Sequence, residues 1–141
     1  RIQIQKLDIW IEKRKKNAML LHSYLSECPL VRIPLPGENI IHAWYKFNCF
    51  IKREFLKDNW SRDQIIELIN KKGYPAMQGS CSELYLEKCF KTQQRNHINK
   101  LKVARELGET NLTFLVHPTI DKEQMSKYAL NILQVLVLAC K

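Results

Sequence analysis

A chain of 141 residues, 45% hydrophobic and 26% charged, with only four Gly and five Pro, has the make-up of one ordinary globular domain, which excludes a fibrous or intrinsically disordered chain. Twenty-three Lys and Arg against fourteen Asp and Glu leave a formal charge of +9, which brings acidic partners such as a phosphorylated ligand or nucleic acid into consideration. The five cysteines, at 28, 49, 81, 89 and 140, form no CxxC pair and no metal-ligand spacing, so they read as reduced thiols of a cytoplasmic protein that holds no metal.

Along residues 4–27, Ile4, Leu7, Ile11, Ala18, Leu21 and Leu25 recur near the helical period and predict one long helix, ended by Cys28-Pro29. No capping residue precedes it, and the chain opens on Arg1, which points to a cut inside a longer polypeptide or at a cleaved tag. Residues 34–39 read as a loop. Residues 42–51 alternate with period two, which predicts a strand with Tyr45, Phe47, Cys49 and Ile51 toward a core and Trp44, Lys46, Asn48 and Phe50 on the other face. Ser61-Arg62-Asp63-Gln64 is a capping-box sequence for a helix over 62–72, closed by Gly73 and Pro75.

Residues 74–78 suit a short strand, 82–89 a helical turn, 91–100 an exposed polar loop and 101–107 another helical turn. Residues 112–116 are an apolar, β-prone run closed by Pro118. Asp121 then caps a last helix whose stripe is Met125, Tyr128, Ala129, Ile132, Leu133, Leu136 and Ala139. Val135, Val137 and Leu138 widen that stripe beyond what one packing partner covers, so a second surface in a longer protein or a dimer is expected. The predicted architecture is an α/β (α+β) two-layer sandwich: a small, three-stranded, mostly antiparallel sheet with the long N-terminal helix and the C-terminal helix packed on one face.

The apolar tail over 132–140 is too short to span a bilayer and contains Gln134, so a soluble protein with no membrane partner is expected. The basic excess is dispersed. Its densest runs, residues 13–16 and 95–102, lack the interleaved aromatics on which single-stranded nucleic acid stacks, so nucleic acid is not the expected partner.

Candidate chemistry is sparse. His42, at the start of the main strand, reads either as a polar strand terminus or as a group for a phosphate or hydroxyl; His117-Pro118 reads either as a ligand contact or as a turn-stabilising pair. His22 and His97 read as surface residues. Cys81, between Ser80 and Ser82 after Gly79, would need a lowered pKa and an oriented base to act as a nucleophile, and spacing reveals neither. Glu83, Glu87, Glu106 and Glu109 show no paired-carboxylate signature, and GxGxxG, P-loop and HExxH motifs are absent.

Several segments carry a more specific signal together. The start Arg1-Ile2-Gln3-Ile4-Gln5-Lys6-Leu7 with Arg14-Lys15-Lys16-Asn17-Ala18, the strand opening His42-Ala43-Trp44-Tyr45-Lys46-Phe47, the helix from Trp60-Ser61-Arg62-Asp63 to Gly73, the loop Gly79-Ser80-Cys81 with Tyr85, Lys88 and Phe90, and the stretch ending in His117-Pro118 fall in an order that resembles the C-terminal part of the DegT/DnrJ/EryC1/StrS sugar aminotransferases. Where many relatives carry His-Tyr-x-Pro, this chain has Gly-Ser-Cys-Ser.

The resemblance implies that residues 1–141 are a single C-terminal small domain of a fold type I enzyme, lacking the large cofactor-binding domain. Such enzymes use pyridoxal phosphate to move an amino group, usually from glutamate, onto a nucleotide-linked keto sugar. The lysine that carries the cofactor and its acidic partner belong to the large domain upstream, so this chain by itself is expected to bind no cofactor and to be inactive. The resemblance further implies a homodimer, a role in completing the active-site cleft, and a sugar-nucleotide pocket lined by Gln78, Ser80, Cys81 and Tyr85, with His42 and His117 as further candidates. The alternative from composition alone is a stand-alone basic module that binds nucleic acid or another protein.

Overall fold

The amphipathic N-terminal run forms two helical pieces, α1 (Ile2–Gln5) and α2 (Leu7–Leu25), in a computed structural model that describes residues 2–79, 82–90 and 101–141. The pieces meet at Lys6, whose amide reaches back only three residues, to the Gln3 carbonyl. Asn17, Ala18, Leu21 and Leu25 are buried at helical spacing, whereas Ile4 and Leu7, which the periodicity also assigns to the core, are exposed. The core therefore begins halfway along the helix.

Among the described residues the sheet has four strands, one more than the sequence predicts: β1 (Val31–Arg32), β2 (Phe47–Ile51), β3 (Ala76–Met77) and β4 (Asn111–Phe114), in the order β1-β2-β4-β3 and antiparallel throughout. Two residues between Pro29 and Pro34 are too few to show alternation, and β1 exists because Val31 and Arg32 find Ile51 and Phe50 across the sheet. Helix α3 (Arg62–Lys71) starts where Ser61 Oγ accepts the Gln64 amide, and Gly73 ends it at φ 84°. Helix α4 (Lys102–Thr110) leads directly into β4, and α5 (Lys122–Ala139) opens on a complete capping box between Asp121 and Gln124.

Register sorts the residues. Phe47 pairs with Phe114, Cys49 with Leu112 and Ala76 with Phe114, so these side chains share one face and are buried against Ile65 and Ile69 of α3 and Met125, Ala129, Ile132 and Leu136 of α5. Helices α2 and α3 both pack on α5. The α/β two-layer arrangement is as expected, with α2, α3 and α5 on one side of the sheet. Val135 joins the core, while Val137 and Leu138 remain exposed. Among the described residues no helix is long and apolar enough to cross a membrane.

One prediction about the main strand is corrected. Pairing begins at Phe47 and not at His42, and Tyr45, assigned to the core, is 72% exposed while Trp44 is buried. Trp44 has φ 47°, uncommon for a residue with a side chain, and its amide donates to His42 Nδ1 at 3.0 Å. That turn breaks the alternation, placing the indole on Phe47, 6.2 Å between ring centres, and the phenol outside.

Candidate functional site: a cleft on the polar face of the sheet

The side of the sheet away from α2, α3 and α5 carries Asn48, Asn111 and Thr113. Asn48 and Thr113 are cross-strand partners, and the Thr113 hydroxyl lies 2.7 Å from the amide oxygens of both Asn48 and Asn111, forming one polar row. Asn111 and Thr113 are buried although they lie on the face away from those three helices. Gly79 closes over them: a Cβ there would fall 2.3 Å from Asn111 Oδ1, so only a glycine lets this backbone lie against the row.

The opposite wall is the turn before β2. His42, Tyr45 and Lys46 from this turn, with Asn48, Thr113 and Gly79, bound a cleft of about 540 Å³. His42 Nδ1 accepts the Trp44 amide, which requires the tautomer with its proton on Nε2, and the ring meets Trp44 edge-on at 4.5 Å. The exposed Nε2–H is then a donor held in a fixed direction. The cleft thus offers an imidazole N–H, a phenol, an ammonium and a planar amide, a donor-rich set suited to hydroxyls and anionic oxygens.

Of the residues that the sequence suggests, His42 lines this cleft. Gln78 precedes Gly79 but its Oε1 accepts from Arg62 Nη2 at 3.2 Å, and the same guanidinium donates to the Gly108 carbonyl at 2.9 Å. The Tyr85 hydroxyl is hydrogen-bonded to the buried Glu83 carboxylate and accepts the Leu101 amide at 3.4 Å. The bond to Glu83 holds the phenolic proton and raises the Tyr85 pKa. His117 Nδ1 sits 2.7 Å from Thr119 Oγ1 in an exposed turn whose carbonyls at 117 and 120 accept from Asn17 Nδ2. Ser80 and Cys81 lie outside the described residues, as does the 91–100 stretch read as a loop.

Sequence reasoning did not single out Tyr45, Lys46, Asn48 or Thr113. The strand pattern did put Lys46 and Asn48 on the face away from the core, a usable signal; nothing local marks Thr113, which sits in an apolar run.

Two other clefts differ in character. One of about 670 Å³ gathers Arg32, Lys52, Arg53, Lys102 and Arg105, but Arg53 and Arg105 both bind Glu109, at 2.5 and 2.7 Å. The Arg105 and Arg53 hydrogen bonds hold that carboxyl below its ordinary pKa. The other, about 850 Å³, runs between α2 and the turn before α5, with Trp10, Leu20 and Ile120 among its lining and Lys13, Lys16 and Lys122 at its rim. Among the described residues no cluster of His, Cys, Asp or Glu could hold a metal ion.

No curated protein matches the chain. Among solved structures, the aminotransferase from Psychrobacter cryohalolentis is 35% identical with a TM-score of 0.90, over 99% of this chain and 37% of that one. Two more distant structures share the fold. PseC of Helicobacter pylori, an aminotransferase involved in the biosynthesis of pseudoaminic acid, is 17% identical with a TM-score of 0.83, over 96% of this chain and 35% of that one. Spr1654 of Streptococcus pneumoniae, solved in a PLP form, is 14% identical with a TM-score of 0.79, over 99% and 34%. The chain spans about a third of the length of each of these structures. The family model for the DegT/DnrJ/EryC1/StrS aminotransferases matches residues 1–132, and the chain belongs to that family.

Proposed function

We propose that residues 1–141 are the C-terminal small domain of a pyridoxal-phosphate-dependent aminotransferase that transfers an amino group, from glutamate, to a nucleotide-linked keto sugar, and that the polar-face cleft is this domain's wall of the active site. The observation that carries the reading is the convergence of the 42–46 turn and Gly79 on the Asn48–Thr113 row. An exposed amide beside an imidazole N–H suits sugar hydroxyls, which both donate and accept. Involvement of PseC in the biosynthesis of pseudoaminic acid supports a sugar substrate by likeness.

Pyridoxal phosphate, when bound, supplies an electron sink for amino-group transfer, and its site needs a lysine and an acidic residue at the pyridine nitrogen. Among the described residues that line the cleft there is one lysine, Lys46 at the rim, and no carboxylate. These residues do not fit the cofactor as a site of their own, so its lysine and acid are assigned to a large domain upstream. What this chain contributes is binding and orientation of the sugar. Leu130, Val137 and Leu138 of α5, all exposed, are apolar surface consistent with a homodimer. The assembled enzyme is placed in the cytoplasm.

The test uses the full-length parent protein with glutamate and a panel of nucleotide keto sugars. His42→Ala and Asn48→Ala should each lower kcat/KM for the sugar roughly tenfold or more, the loss expected when a hydrogen bond to substrate is removed. The half-reaction with glutamate should be unchanged. The isolated 141-residue chain should transfer no amino group. Absence of amination with every sugar nucleotide, or wild-type sugar kinetics in both variants, would sink the proposal.

A further inference from the structure

Arg62 opens α3, and its side chain is only 14% exposed, which for a charged group calls for partners. Its guanidinium serves three separate pieces of chain. Nη1 donates to the Gly108 carbonyl at 2.9 Å and to the Asn111 carbonyl at 3.4 Å, and Nη2 donates to Gln78 Oε1 at 3.2 Å. Nε donates to Asp63 Oδ1 at 2.5 Å, which fixes the plane of the group. Gly108 belongs to the last turn of α4, where main-chain carbonyls have no partner inside the helix, so a planar fork of donors suits this place. A lysine presents its donors from one point and cannot span these acceptors in the same geometry.

Two of the groups so held lead to the cleft, which Arg62 itself does not line. Gln78 precedes Gly79, whose backbone lies so close to Asn111 that a Cβ would fall 2.5 Å from Asn111 Cγ. The Thr113 hydroxyl lies 2.7 Å from both Asn111 Oδ1 and Asn48 Oδ1, and Asn111 Nδ2 donates to Asn48 Oδ1 at 3.4 Å. With its oxygen engaged by the row, Asn48 has the two hydrogens of Nδ2 left for a ligand, among the described residues. The direction of those donors therefore depends on where Asn111 is held.

We infer that Arg62 is a positioning residue for the polar-face cleft. It ties Gln78 and the Asn111 backbone to the end of α4, so that Gly79 stays against the Asn111 amide and Asn48 keeps its donors aimed at the ligand. The inference rests on the function proposed above for the identity of that ligand, a sugar bearing hydroxyls; the hold on the row itself does not depend on it.

The experiment measures sugar and glutamate kinetics in the full-length parent protein, and the side-chain amide resonances of Asn48 and Asn111 in the 141-residue chain. Arg62→Lys keeps the charge and loses the fork. It should raise KM for the sugar roughly threefold to tenfold, the worth of one ordinary hydrogen bond, with kcat and the glutamate half-reaction unchanged. Both amide resonances should move. Gln78→Ala, which leaves the bonds to the Gly108 and Asn111 carbonyls in place, should move them by less, and Lys57→Gln, which gives up a bond to the Leu138 carbonyl, should move neither. Because Arg62 acts through Asn48, adding Arg62→Lys to Asn48→Ala should cost no further sugar affinity. Fully additive losses, unmoved amide resonances in Arg62→Lys, or equal losses in both half-reactions would overturn the assignment and leave Arg62 a stabiliser of the fold. Amide resonances that move as expected, in a protein whose parent aminates no sugar nucleotide, would keep the hold on the row and sink the proposed function instead.

Discussion

Gly108 lies within α4, where alanine would ordinarily stabilise the helix by about 0.5–1 kcal/mol. Gly108→Ala should do the opposite. A Cβ at 108 would sit 1.9 Å from Ser82 Cβ and 2.9 Å from Ser82 Cα, against a comfortable carbon–carbon separation of about 3.5–4 Å. Helix α4 and the segment at Ser82 must then part, which draws the Gly108 carbonyl away from Arg62 Nη1, now 2.9 Å distant. Overpacking costs about 1–3 kcal/mol and the weakened hydrogen bond about 1 kcal/mol more. Set against the helix-propensity gain, the net loss is about 2 kcal/mol, a fall in Tm of roughly 6–10 °C for a domain of this size. Urea unfolding followed by tryptophan fluorescence measures it. Ser82→Gly, which removes the contacting Cβ and Oγ, should recover at least half of the loss in the double variant. A Gly108→Ala chain as stable as the parent, or more so, refutes the close approach of α4 to Ser82.

Asn17→Ala should cost about 1–3 kcal/mol in urea unfolding, because the Asn17 amide nitrogen donates to the carbonyls of both His117 and Ile120 and no other side chain replaces it. An unchanged midpoint would contradict that role. Stability should also fall at alkaline pH. Burial pushes the Cys49 thiol and the Tyr128 phenol well above their ordinary values, so the native chain keeps protons that the unfolded chain releases from about pH 8.5 and about pH 10 respectively. Native stability is therefore fully present below about pH 8.5 and declines as pH rises beyond it. Cys49→Ala lowers stability overall but should flatten the first part of the decline; a flat profile up to pH 10.5 in the parent chain would rule the account out.

What could be read from the sequence is what local rules determine. The caps at Ser61 and Asp121 are contacts across three residues, and the stripe on α5 and the alternation over 47–51 are properties of one element each. What could not be read depends on pairs distant in sequence or on one unusual dihedral. β1 has no pattern of its own, and the exposure of Tyr45 follows from the turn that His42 makes with the Trp44 amide. The cleft behaves likewise. Lys46 and Asn48 could be placed on the outer face by counting, but Thr113 belongs to the site because β4 pairs with β2 in the register that sets it across from Asn48.

The net charge of +9 stays dispersed after the ion pairs are assigned, because these hold only a minority of the described Lys and Arg residues. Arg53 and Arg105 are held by Glu109, Arg62 by Asp63 together with the Gly108 carbonyl and Gln78, and Lys71 and Lys127 by carboxylates one helical turn away. Lys46, which has no carboxylate partner among the described residues, is the one lysine among the described residues that line the polar-face cleft. A uniformly spread charge would attract any polyanion and discriminate poorly. A single cation in a cleft whose other described polar groups are hydrogen-bonding favours instead a ligand chosen chiefly by its hydroxyls. Binding of an anionic ligand there should weaken as salt is raised, since Lys46 is partly exposed to solvent, while the contacts to His42 and Asn48 keep their selectivity for hydroxyls. A single ligand titrated at two salt concentrations, with and without Asn48→Ala, separates these contributions: the salt should change the affinity of both chains by the same factor.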